Sequence, residues 1–121
     1  MEAQPVLQVL RGDVFLASLE PVEGSEQGGT RPVVVVSRDA LNQFSPVIVV
    51  CSITDAANKK KFYPSHVKIS AGMGGLTLDS IVVCEQVRAI SKTRLRRQLG
   101  KFDRNAMRSI DAALKVTLDI A

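Results

Sequence analysis

Apolar residues cluster in short runs along the first two thirds of the chain, too short and too β-branched for helices. Arg11-Gly12-Asp13-Val14-Phe15-Leu16-Ala17 is the first candidate strand. A turn-rich stretch from Glu20 to Gly29 follows, and then Pro32-Val33-Val34-Val35-Val36-Ser37. Pro32 suits the opening of a strand, where a missing N–H does least harm. A third run, residues 46–53, also starts at a proline. His66-Val67-Lys68-Ile69-Ser70 alternates polar and apolar positions, which predicts one wet and one buried face. Residues 80–87 complete five strands separated by Gly, Pro and polar loops, the pattern of a small barrel or sandwich. Among the loops, Ala71-Gly72-Met73-Gly74-Gly75 reads as a flexible connection.

The tail changes period. Ser91 is placed to cap a short basic helix carrying Lys92, Arg94, Arg96 and Arg97, with Leu95 and Leu99 on one face and Gly100 as its stop. Asp103 then caps a longer helix, in which Met107, Ile110, Leu114 and Leu118 recur as a stripe to be laid against a core. The basic cluster reads as a solvated helix face ahead of a dedicated RNA groove.

Composition narrows the function classes. At 121 residues the chain is read as one domain over 1–121, with residues 1–10 as a disordered extension. Sixteen Lys and Arg against twelve Asp and Glu give a net charge of +4, which favours an anionic partner such as nucleic acid or an acidic protein. No apolar run is long enough for a membrane span, and the first residues lack the basic start and apolar block of a signal peptide. A cytoplasmic location is the expectation. Cys51 and Cys84 both sit in apolar runs and read as small core thiols.

Elimination removes several chemistries. One His and two separated Cys do not make a zinc site, so no metal or cofactor is expected. The Gly-rich segment at 24–29 lacks the Gly-Lys-Ser/Thr ending of a P-loop and precedes a strand. His66 reads as a surface or structural residue rather than a catalytic one. What stands out is Gly24-Ser25-Glu26-Gln27-Gly28-Gly29-Thr30-Arg31-Pro32. Glycines let backbone N–H groups approach an anion, Ser25 and Gln27 add neutral donors, and Arg31 adds a planar charged fork. By itself this loop reads equally as a plain hairpin connection or an anion site.

The chain resembles the MazF/PemK family, the ribonuclease toxins of bacterial toxin–antitoxin pairs. The resemblance rests on an ordered set: Arg11-Gly12-Asp13-Val14, the loop at 24–29 running into Arg31-Pro32-Val33-Val34-Val35, Asn42, and Phe44-Ser45-Pro46. It continues through Ser52-Ile53-Thr54, His66-Val67, Asp79-Ser80 and Glu85-Gln86-Val87-Arg88. It implies an SH3-like (CcdB/PemK-type) small antiparallel β-barrel with a C-terminal helix, and a homodimer. The implied activity is sequence-specific cleavage of single-stranded RNA, without metal, by 2′-OH attack, inhibiting translation and growth. A MazE-like antitoxin would block the RNA groove. Arg31 and Thr54 fall on the family's catalytic positions, and Ser25, Glu26, Gln27 and Gly28 fall in its substrate-binding loop.

Two other readings stand beside this one. A gyrase poison like CcdB would share the fold, but that relative acts through a Trp-Gly-Ile ending, and this chain has no Trp. A catalytically silent barrel that binds RNA or a protein is the other. The segment at 55–63, with three lysines beside Phe62 and Tyr63, suits an RNA-contacting loop and a solvated loop equally.

Overall fold

A computed structural model describes residues 8–21, 23–26 and 28–121. In chain order it contains β1 (Asp13–Ser18), β2 (Thr30–Val35), α1 (Asp39–Phe44), β3 (Val47–Asp55), β4 (His66–Ile69), β5 (Ser80–Ser91), β6 (Leu95–Lys101) and α2 (Arg104–Leu118). Single 3₁₀ turns cover Ala56–Asn58, Met73–Gly75 and Lys92–Arg94. The six strands form one antiparallel sheet in the order β4-β5-β3-β2-β1-β6.

The apolar runs are nearly continuous because both faces of the central strands are covered. Val14, Val34, Cys51 and Ile53 point into one core, which α2 closes with Met107, Ile110 and Ala113. Their neighbours Phe15, Val33, Val35 and Val50 point into a second core with Val9, Ile90 and Leu95. Of the expected N-terminal extension, Val9 is therefore built into the fold, while residues 1–7 lie outside the described residues.

The mainly-β class with a C-terminal helix is as expected, but the hydrogen-bonded ladder does not close into a complete barrel. β4 and β6 remain its edges. The Met73–Gly75 turn packs against β6. A Cβ on Gly75 would lie 1.9 Å from the Leu99 carbonyl oxygen, and one on Gly100 would lie 2.6 Å from the carbonyl carbon of Gly74. Two backbones thus touch where only glycine fits. The loop at 71–75 is a packed element, not merely a flexible connection, and Gly100 is a close-approach residue inside a strand.

That strand corrects the expectation of a short basic helix. Ser91 does cap, accepting a hydrogen bond from the Thr93 N–H, but only for the single 3₁₀ turn at Lys92–Arg94. From Leu95 onward the chain pairs with β1, Ala17 opposite Leu95 and Asp13 opposite Lys101. Long-range pairing and the burial of Leu95 outweigh the local helical pattern. Arg94 is spent on the fold, its Nη1 donating to the Ser18 carbonyl at 3.2 Å.

Asp103 caps α2 as expected, its carboxylate accepting from the Ala106 N–H at 2.8 Å. The buried face is Ala106, Met107, Ile110 and Ala113, with Leu114 half-buried. Leu118 corrects the predicted stripe: it is 54% exposed, being the last residue of α2, beyond the buried face that ends at Ala113. Helix α1 carries no side-chain cap and is held instead by buried Asn42, whose Nδ2 donates to the Ser37 carbonyl at 2.8 Å.

β5 holds the main irregularity. Cys51 pairs with Val87, yet the next residue, Ser52, pairs with Val83. Cys84, Glu85 and Gln86 therefore bulge from the ladder to β3. Cys84 turns inward to Cys51, and both thiols are buried and free. The hydrogen bond with Cys84, together with burial, pushes the Cys51 thiol up, so it stays protonated as a core residue.

Candidate active site

The start of β2 and the end of β3 form walls of one cleft. Their ladder pairs Val35 with Val50, Val34 with Cys51 and Val33 with Ser52. Carried two residues further, the same register would set Arg31 opposite Thr54. The hydrogen-bonded pairing stops at Val33 and Ser52, and both Arg31 and Thr54 line the cleft beyond it. Its volume is about 440 Å³. Gly28 and Gly29 form one rim, and Leu76, Thr77 and Leu78 come from the segment between the Met73–Gly75 turn and β5.

Arg31 is half-buried, and its Nε donates to the Gly28 carbonyl oxygen at 2.5 Å. The bond fixes the guanidinium plane against the loop that precedes the strand. Thr54 is only 4% exposed, so its hydroxyl sits on a rigid wall. Asp55 also lines the cleft and caps the following 3₁₀ turn, its Oδ1 accepting from the Ala57 N–H at 2.9 Å. A fixed cation and a neutral donor facing one cavity form a setting for an anion with developing charge.

The loop residues of the expected site separate into groups. Gly28 reaches the cleft. Ser25 and Glu26 are exposed on the β1–β2 loop and do not line it. The Glu26 carboxylate accepts from the Glu23 N–H at 2.6 Å, which shapes its own turn. Gln27 lies outside the described residues. Asn58, Thr77 and Ser80 also line the cleft. Of these, Ser80 fell within the family motifs and Asn58 within the lysine-bearing segment at 55–63, while Thr77 was not singled out in the sequence.

His66 lies outside this cleft and is structural. Its alternating strand suggested a wet position, but it is 5% exposed. Nδ1 accepts from the Tyr63 N–H at 3.2 Å, which leaves Nε2 to donate to Glu85 Oε2 at 2.8 Å. The Ser65 hydroxyl donates to the other carboxylate oxygen at 2.7 Å. Partial burial works to raise the Glu85 carboxyl, but the bonds from Ser65, His66 and a backbone N–H outweigh it and hold the group below the usual carboxylate range. The bulge in β5 is what delivers Glu85 to these partners.

Among the described residues, no helix is long and apolar enough to cross a membrane.

Comparison with known proteins gives a consistent set of likenesses. Residues 10–118 match the family model described as PemK-like, MazF-like toxin of type II toxin–antitoxin systems. The chain is 44% identical over 112 residues to the endoribonuclease MazF of Staphylococcus epidermidis, covering 93% of this chain and 92% of that one. Its fold is shared with MazF from Deinococcus radiodurans, at a TM-score of 0.79 and 24% identity, covering 93% of this chain and 98% of the other. An endoribonuclease solved with its cognate antitoxin from a mycobacterial species aligns at a TM-score of 0.77 and 23% identity, covering 93% and 97%.

Proposed function

The chain belongs to the PemK-like, MazF-like family of type II toxins, and from that premise we propose that it is an endoribonuclease toxin cutting single-stranded RNA in the Arg31–Thr54 cleft. The observation that supports the reading is that Arg31 and Thr54, a permanent cation and a hydroxyl-bearing residue, line one cleft.

The reaction needs no external nucleophile. A ribose 2′-OH attacks its own 3′-phosphate, the new O2′–P bond forms, and the P–O5′ bond breaks. The 2′ proton is lost, the departing O5′ gains one, and the products carry a 2′,3′-cyclic phosphate and a 5′-OH. Catalysis then consists of alignment and charge stabilisation. Arg31 neutralises the phosphorane and stands where it can donate to a phosphate oxygen. Its guanidinium stays protonated, so it acts as cation and donor, not as base. Thr54 donates to a second oxygen from its rigid strand. The loop bearing Ser25, Glu26, Gln27 and Gly28 guides the strand into the cleft. The same reading makes the protein a cytoplasmic homodimer restrained by a MazE-like antitoxin; a MazE–MazF complex is known for the Deinococcus relative.

Incubation of the purified protein with a long single-stranded RNA in EDTA tests this. Fragments with cyclic-phosphate and 5′-OH ends are expected, and Arg31→Ala should abolish them. Intact RNA with wild-type protein freed of antitoxin would overturn the assignment.

A further inference from the structure

A second cleft, of about 390 Å³, adjoins the first. Ser80 lines both, and the 3₁₀ turn Ala56–Asn58 stands between them, with Asn58 on the first and Ala56 on the second. Lys59, Lys60, Lys61 and Lys68 line this second cleft together with Phe62. Its one carboxylate, Asp79, accepts from the Ala71 N–H at 2.9 Å. Among the described residues, the ion pairs are Arg11–Asp111 and His66–Glu85, so none of the four lysines is neutralised by one.

Four ammonium groups against one carboxylate around a single concavity leave it cationic, and a polyanion both relieves their repulsion and releases its own counterions on binding. An aromatic ring is part of the same surface. Phe62 is 51% exposed, with Lys68 Nζ 4.9 Å from its centroid. It meets His66 in a T-shaped ring contact, and Glu85 and the Tyr63 N–H hold that imidazole in place. Charge plus a supported ring is the combination that binds single strands, phosphates on the cations and a base on the ring.

We propose that this second cleft is a flanking-nucleotide subsite, which grips the RNA on one side of the cut and extends the track that starts at Arg31 and Thr54. The inference rests on the ribonuclease reading, and the two fail separately.

The test compares wild type, Lys59→Gln/Lys60→Gln/Lys61→Gln and Phe62→Leu, in EDTA, on a fluorescein-labelled mixed-sequence single-stranded RNA. Anisotropy gives Kd across a salt series, and gel analysis gives cleavage. The triple variant should raise Kd and KM about tenfold and flatten the salt slope by about 2. Phe62→Leu should weaken binding about fivefold with the slope unchanged, since stacking is not ionic. Weakened binding in both variants with no cleavage by any protein sinks the ribonuclease reading and supports only the cleft's grip on single-stranded RNA. Cleavage with unchanged Kd and KM in the triple variant overturns the subsite. Unchanged RNA affinity with lost binding of a polyglutamate peptide also overturns it, making the cleft a peptide site.

Discussion

The Nε–H of Arg31 donates to the Gly28 carbonyl oxygen at 2.5 Å, which anchors one edge of the guanidinium and turns the rest toward the cleft shared with Thr54. Lysine carries the charge but neither the planar fork nor an Nε–H at that position. Arg31→Lys should therefore lower kcat by roughly 100-fold or more while leaving the melting temperature nearly unchanged. Near-wild-type turnover in the lysine variant would mean that charge alone suffices.

Thr54 separates the hydroxyl from the shape of the side chain. Thr54→Val keeps the branched volume on a wall that is 4% exposed, and should cost about 100-fold in kcat with the fold intact. Thr54→Ser keeps the donor and should stay within about tenfold of wild type. Equal activity of the two variants in steady-state cleavage would remove the hydroxyl from the mechanism.

Glu85 sets an acid limit on stability. Its folded carboxyl lies below the ordinary value of 4.5, so on acidification the unfolded chain takes up the proton first. The stabilisation is complete above the unfolded value and is lost as pH falls through the folded one. Thermal melts from about pH 6 down to pH 3 should fall more steeply for wild type than for Glu85→Gln. Parallel curves would show that the Ser65 and His66 bonds carry no linkage.

Helix α2 is tied down by an ion pair and by an apolar face, and magnitudes decide between them. The Arg11–Asp111 pair has side chains 33% and 43% exposed, so Asp111→Ala should cost less than about 1 kcal/mol. Ile110 is fully buried, and Ile110→Ala should cost about 2–5 kcal/mol. Urea titrations of both variants check the order.

Gly100 leaves no room for a side chain, since the atoms a Cβ would meet are backbone atoms of Gly74 and Gly75. Gly100→Ala should destabilise by about 1–3 kcal/mol, whereas the exposed neighbour Lys101→Ala should stay within about 0.5 kcal/mol. A Gly100→Ala protein that melts with wild type would show that the turn at Met73–Gly75 yields freely.

Much of this architecture was legible in the order of residues. Apolar runs marked four strands because a strand buried on both faces has no polar alternation to blur it, and the alternation at 66–70 marked β4. Asp103 marked the start of α2, since a cap is a local interaction. Arg31 and Thr54 were marked by the ordered family motifs, and the folded chain places both on one cleft. Long-range effects stayed hidden. β6 looked helical at Leu95 and Leu99 because its partner, β1, lies about eighty residues earlier. α1 is six residues long with no side-chain cap, too short to give a period. The buried state of His66 depends on a bulge in β5 that no local pattern announces. Thr77 lines the cleft from a segment that no strand or helix pattern marked, just after the turn that packs on β6.

The outer neighbour of β1 is β6, so among the described residues the earliest strand in the chain pairs with the latest. Arg31 and Thr54 are both synthesised while that edge is still bare, and bare edges recruit foreign strands. Leu95 must emerge before the core around Phe15 can close. A product released early, from a broken message for instance, lacks the strand that completes the sheet. The wall that carries Arg31 therefore gains its outer support only when β6, about eighty residues later, has been laid beside β1.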